Sequence, residues 1–271
     1  MRIAARDGTR LHIAETGPPD GRPLVFANSL GTDLRIWDDV LPRLPDGLRI
    51  MRYDMRGHGL SDVPDPPYGM GTLVADAEAV LDTLDVRASC FVGLSIGGMV
   101  AQGLAVKRPD LVGALVLSNT AARIGTEALW DRRIADVRRH GLDTMADGVM
   151  ERWFGRDFRA SGALPMWRAR FCETPPDGYV GCCAAIRGGD FYTPTSGLRL
   201  PTLVIAGSED GTTPPDLIRE TAALIPGSEF AIIRRAGHLP PIEAPAEFGR
   251  VLAAFLNRPD VSALASPGTR R

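Results

Sequence analysis

The most constraining stretch is Phe91-Val92-Gly93-Leu94-Ser95-Ile96-Gly97-Gly98. An apolar run stops at Gly93 and a helix-forming run begins at Gly98, with Ser95 between them in the pattern G-x-S-x-G. That spacing describes a strand turning into a helix so sharply that the central residue is strained, and bulky neighbours two positions away would collide. The turn presents the Ser95 hydroxyl at the carboxyl end of a parallel strand. It also sets the residue at a helix N-terminus, where free N–H groups and the helix dipole favour developing negative charge. The pattern alone is also compatible with an ordinary glycine-rich turn, so its meaning depends on partners elsewhere in the chain.

The rest of the chain alternates strands and helices. Residues 3–13 alternate apolar and polar side chains around Asp7-Gly8, an opening hairpin. Strands are expected at 23–27, 48–53, 115–117, 201–206 and 230–233, and helices at 72–84, 98–107, 216–224 and 246–256; Trp37, Val40, Leu41 and Leu44 also recur at helical spacing. This order predicts an α/β fold: a mostly parallel twisted sheet with helices on both faces. From 121 to 191 the strand-like runs vanish and short helices rich in Arg, Trp, Asp and Ala are expected. The reading is a core of 1–120 and 192–257, a helical cap of 121–191 over the carboxyl ends of the strands where such sheets bind ligands, and a mobile tail of 258–271.

A net charge of -2 offers no electrostatic case for nucleic acid or an anionic membrane. No apolar run has the length of a membrane span, and the N-terminus lacks a signal-like apolar core, so the expectation is a cytoplasmic protein. Cys90, Cys172, Cys182 and Cys183 lack zinc-ligand spacing and read as reduced packing residues; no metal or cofactor is expected.

A serine hydroxyl is a poor nucleophile without a base, and histidine suits that task near neutral pH. Of the four histidines, His12 lies in the hairpin, far from the strand ends; His58 reads as a turn-holder and His140 as a solvent-facing cap residue. His238, in Arg235-Ala236-Gly237-His238, follows a strand on the same edge as Ser95. The acid that orients it should follow the strand 201–206, where Asp210 is favoured over the adjacent Glu209. The order Ser, Asp, His is that of the α/β-hydrolases. For the oxyanion hole, one donor should be the backbone N–H of Ile96. The other should come from Asn28-Ser29-Leu30-Gly31, with Leu30 preferred and Ser29 its competitor.

Three motifs carry a wider likeness: Asp54-x-Arg56-Gly57-His58-Gly59-x-Ser61, Gly93-Leu94-Ser95-Ile96-Gly97-Gly98 and Gly237-His238. Through them the chain resembles the α/β-hydrolase superfamily over nearly its full length. Within it, Phe26-Ala27-Asn28-Ser29-Leu30-Gly31-Thr32 and Gly181-Cys182-Cys183-Ala184-Ala185-Ile186-Arg187 look most like the 3-oxoadipate enol-lactonases. The resemblance implies opening of 3-oxoadipate enol-lactone to 3-oxoadipate, in bacterial aromatic catabolism, without a cofactor. Such a substrate carries a carboxylate. Arginine binds carboxylates bidentately, so Arg133 and Arg187 are the cap candidates, with Trp130 as an apolar wall. Rival readings are a general carboxylesterase or cofactor-free perhydrolase on the same triad and, in another class, a non-catalytic binding protein for a small ligand.

Overall fold

The computed structural model describes residues 1–5 and 7–264. Eight strands form one sheet in the order β1-β2-β4-β3-β5-β6-β7-β8. They are β1 (Arg2–Ala4), β2 (Arg10–Thr16), β3 (Arg22–Ala27), β4 (Leu48–Tyr53), β5 (Ser89–Leu94), β6 (Val112–Ser118), β7 (Thr202–Gly207) and β8 (Glu229–Ile233). β1 and β2 run antiparallel at one edge, and β3 to β8 are parallel. The central parallel strands are continuous apolar runs, buried on both faces from Leu24 to Ala27 and from Leu115 to Leu117. That pattern is required when helices cover both sides of a sheet.

The helices on the sheet include α1 (Met70–Thr83) and α2 (Ile96–Lys107), which follow β4 and β5. Between β6 and β7 lie α3 (Glu127–His140), α4 (Asp143–Trp153), α5 (Arg156–Arg159), α6 (Leu164–Cys172), α7 (Pro176–Arg187) and α8 (Tyr192–Ser196). The helical run therefore continues to Ser196 rather than stopping at 191. The chain closes with α9 (Pro215–Ala223), α10 (Pro240–Glu243), α11 (Pro245–Leu256) and α12 (Pro259–Ser262).

Three expectations are corrected. The spacing of Trp37, Val40, Leu41 and Leu44 does not give one helix but two short 3-10 turns, Leu34–Trp37 and Leu41–Arg43; Pro42 and Pro45 remove the amides a longer helix needs. The chain beyond 257 does not loosen at once. Arg258 pairs with Glu229 and Asp260, and α12 buries Val261. Residues 265–271 of the expected tail lie outside the described residues. His12 is not far from the strand ends either. β2 is antiparallel to β4, with Ile13 opposite Tyr53, so the hairpin delivers His12 to the carboxyl end of β4, where its Nδ1 lies 2.8 Å from Asp54 Oδ2.

Parallel register aligns the strand ends on one edge. Ala27 lies opposite Gly93, Leu94 opposite Ser118, Ser118 opposite Ile205 and Gly207 opposite Ile233. The loops that follow carry Asn28, Ser95, Asn119, Asp210 and His238. Among the described residues no helix is long and apolar enough to cross a membrane.

Candidate active site

Ser95 sits between β5 and α2 with φ 56° and ψ −117°, a backbone that only a tightly held non-glycine residue keeps. It is pinned from the neighbouring strand: its N–H donates to Ser118 O at 3.0 Å, and Thr120 Oγ1 donates to its carbonyl at 2.6 Å. The flanking glycines answer to close approach. A Cβ at Gly93 would stand 2.3 Å from Gly97 O, and one at Gly97 would stand 2.4 Å from Ala27 O. The spacing of the motif is thus a steric requirement of three backbones meeting.

His238 is buried, and its Nδ1 lies 2.8 Å from Asp210 Oδ2. A carboxylate only accepts, so the proton of that contact belongs to Nδ1 and Nε2 is free to act as a base. Asp210 Oδ2 also accepts from Asn119 Nδ2 and Thr213 Oγ1, each at 2.8 Å. Its Oδ1 accepts the N–H of Thr212 at 2.7 Å and of Thr213 at 2.9 Å. Burial pushes the Asp210 carboxyl up, but the facing His238 and these donors outweigh it, and the group lies below its ordinary range. Glu209 turns away and takes Arg156 Nε at 3.0 Å.

Ser95 and His238 line one small cavity with Ser29, Leu30, Ile124, Trp130, Arg133, Trp153, Tyr179, Ile186 and Thr212. Among the described residues the N–H groups of Leu30 and Ile96 donate to no other group. The Ser29 and Thr212 hydroxyls are buried without a partner. The Leu30 loop is braced from below. The Gly31 N–H donates to Nε2 of His58 at 2.9 Å, and Asn28 bonds both Tyr53 O and Trp37 Nε1. Burial holds His58 below its ordinary titration range, so it stays a neutral acceptor.

The three cap residues part company. Trp130 is buried at the cavity with its Nε1 donating to Ile124 O at 2.6 Å. The Arg133 guanidinium lies 5.2 Å from the Trp130 ring and, among the described residues, has no carboxylate partner. Burial pushes the Tyr179 hydroxyl up against the pull of this nearby arginine. Arg187, by contrast, does not reach the cavity. It is half exposed and bound to Asp131 at 2.6 Å and Glu127 at 3.8 Å. On α7 it is Ile186 that faces inward, and the next residue is turned about 100° away.

Sequence reasoning missed Asn119, Thr213 and Glu243. Asn119 ends β6 on the edge that carries the other site residues, so the edge rule could have found it. Glu243 could not be found locally. Its carboxylate accepts the N–H of Gly155 at 2.7 Å and of Gly237 at 2.8 Å, tying the cap to the His238 loop. Among the described residues no three His, Cys, Asp or Glu side chains cluster to hold a metal ion.

Comparison with known proteins agrees with this fold. A family model described as the alpha/beta hydrolase fold matches residues 22–245. A 3-oxoadipate enol-lactonase of Acinetobacter baylyi is 32% identical over 258 residues, covering 94% of this chain and 96% of its own. A 2-hydroxymuconate semialdehyde hydrolase of a Pseudomonas species is 28% identical, with 95% and 94% covered. The crystal structure of an enol-lactonase from Burkholderia xenovorans superposes with a TM-score of 0.91 at 35% identity, over 95% of this chain and all of that one.

Proposed function

The chain belongs to the alpha/beta hydrolase family, and on that premise we propose that it is a serine hydrolase opening a small carboxylated enol-lactone, of the 3-oxoadipate enol-lactone type, through an acyl-enzyme. The observation that carries the reading is the cavity where Ser95, the His238–Asp210 pair and an arginine that has no carboxylate partner among the described residues meet. Nε2 of His238 takes the Ser95 proton as Oγ attacks the lactone carbonyl. The oxyanion is held by the N–H groups of Leu30 and Ile96. The tetrahedral intermediate collapses, the ring C–O bond breaks, and the imidazolium returns its proton to the departing enol oxygen. That enol relaxes to a ketone, which removes the nucleophile for the reverse step. A water then attacks the acyl carbon, giving its proton to His238. Collapse of the second intermediate frees the acid, and His238 reprotonates Ser95.

Arg133 is assigned the substrate carboxylate, with the Trp130 ring beneath its guanidinium. The test is turnover of enzymatically generated enol-lactone beside a panel of p-nitrophenyl esters. Ser95→Ala should abolish all of it. Arg133→Ala should lower kcat/KM for the charged lactone by at least tenfold more than for a neutral ester, and an equal fall on both would remove Arg133 from carboxylate recognition. A general esterase reading is favoured if the neutral esters outrun the lactone in the unaltered protein.

A further inference from the structure

The cavity around Ser95 has a volume of about 20 Å³. That space holds about one water molecule and no ester. Chemistry at Ser95 therefore requires one wall to move. Most walls are fastened: His238 by Asp210, Trp130 by Ile124, the Leu30 loop by His58. The Trp153 indole is different. Among the described residues its Nε1 makes no hydrogen bond, and its ring is held by edge contacts with Phe171 at 5.4 Å and Phe154 at 6.5 Å. Its backbone is secure, with Trp153 O accepting the His238 N–H at 2.6 Å. A swing of the ring would leave that backbone bond to the histidine loop in place.

Behind that ring lies a larger cavity of about 330 Å³. Trp153 lines both spaces. The other seams of the partition also match: Leu30 lines the small cavity and Gly31 the large one, and Tyr179 lines the small one while Phe171, in edge contact with it at 5.6 Å, lines the large one. Gly31, at φ 73°, makes the seam thin, since a Cβ there would stand 2.9 Å from the Phe171 ring and 3.3 Å from Trp153.

We propose that the larger cavity is a binding subsite for an uncharged, ring-sized group of the substrate, and that Trp153 is the specificity-determining partition between it and Ser95. The inference rests on Ser95 being the nucleophile. The chemistry follows from the lining. Asp33 and Arg35 are paired by two hydrogen bonds, and Asp54 is taken by His12 and by the N–H groups of Leu34 and Leu60. Arg170 lies against the Trp167 ring at 4.6 Å. Glu173 also lines the space, opposite in charge to Arg170, so the lining carries no net excess of either sign from Asp33, Arg35, Arg170 and Glu173, and its apolar surface is Trp153, Trp167, Phe171, Leu34 and Leu60. An apolar cavity of about 150 Å³ accepts benzene, so this one has room for two fused rings. In the proposed reaction the occupant is the uncharged lactone ring on its way to Ser95; in an aryl ester it is the leaving group.

The test compares kcat/KM for 1-naphthyl acetate and methyl acetate. In Trp153→Ala the ratio of naphthyl to methyl should rise at least tenfold, with Trp153→Phe between. Leu60→Trp, which fills the cavity from a residue 60% exposed and so spares the core, should lower the same ratio at least fivefold. Folding is checked by melting temperature and by the stoichiometry of diethyl 4-nitrophenyl phosphate labelling. A ratio within twofold of the unaltered protein in a folded Trp153→Ala overturns the proposal, and if that variant does not fold, an unchanged ratio in Leu60→Trp does so. Binding of 1-naphthol is measured separately by calorimetry in Ser95→Ala. Saturable binding there that Leu60→Trp weakens supports the subsite even if no ester is turned over, an outcome that would sink the nucleophile alone; no binding overturns the subsite.

Discussion

Asp210→Asn changes one atom in the most densely bonded group of the site. Five donors converge on the Asp210 carboxylate: two backbone amides on Oδ1, and His238, Asn119 and Thr213 on Oδ2. The new side-chain amide must choose an orientation. Turning its NH₂ toward the Thr212 and Thr213 amides would leave buried donors facing donors, at about 1–3 kcal/mol for each. The carbonyl oxygen therefore stays at Oδ1 and the NH₂ takes the place of Oδ2, against His238 Nδ1. The Thr213 hydroxyl can rotate to accept, and the Asn119 amide, which loses this acceptor, keeps its bond to Gly237 O at 3.1 Å. The imidazole can only adapt by moving its proton to Nε2, and an Nε2–H cannot take the serine proton. The fold survives and the base is lost. In a serine protease the same substitution lowers kcat by about 10⁴, so a loss of roughly 10³–10⁴ is expected here, equivalent to about 4–5.5 kcal/mol at 1.36 kcal/mol per tenfold. The assay is kcat on p-nitrophenyl acetate, with melting temperature as the check on folding. A folded Asp210→Asn enzyme retaining more than a tenth of the activity would refute the claim that Asp210 dictates the His238 tautomer.

Two further outcomes follow from the same contacts. Gly97→Ala drives a methyl to 2.4 Å from Ala27 O and 2.7 Å from Asn28 O, where the neighbour is backbone and cannot step aside. The cost should be about 1–3 kcal/mol or more, read from the urea midpoint, and an unchanged midpoint would contradict the close approach of α2 to the end of β3. Burial pushes Glu243 up to about 7, against the pull of the amides that bond it. Its folded state therefore keeps a proton that the unfolded chain, near the ordinary value of about 4.5, releases earlier. Stability should fall as pH rises through that window, by on the order of 3 kcal/mol from this group. Glu243→Gln removes that slope, so the variant-minus-parent difference in urea midpoint should favour the variant more at about pH 8 than at about pH 5; the same difference at both would dismiss it.

What the chain alone determines is largely local sterics and period. Glycines two residues either side of Ser95 describe a turn in which three backbones touch, and that geometry needs no knowledge of distant residues. The continuous apolar runs of β3, β5, β6 and β7 require burial on both faces, hence a parallel sheet with helices on each side. Parallel strands in turn place Ser95, Asp210 and His238 on one edge before any coordinates are seen. Direction of side chains is another matter. Asp210 and Glu209 are adjacent and chemically alike, and only packing sends one to His238 and the other to Arg156. Arg133 and Arg187 are equal candidates on paper, but helix phase turns Ile186 rather than Arg187 inward and leaves Arg133 at the cavity. His12 reaches Asp54 because of an antiparallel pairing that brings residues distant in the chain together. The division of the space beside Ser95 by one indole ring depends on how the cap packs on the sheet, and no periodicity or spacing encodes a void. Contacts set by neighbours along the backbone can be read from the order of residues; those set by which face meets which exist only once the chain has closed on itself.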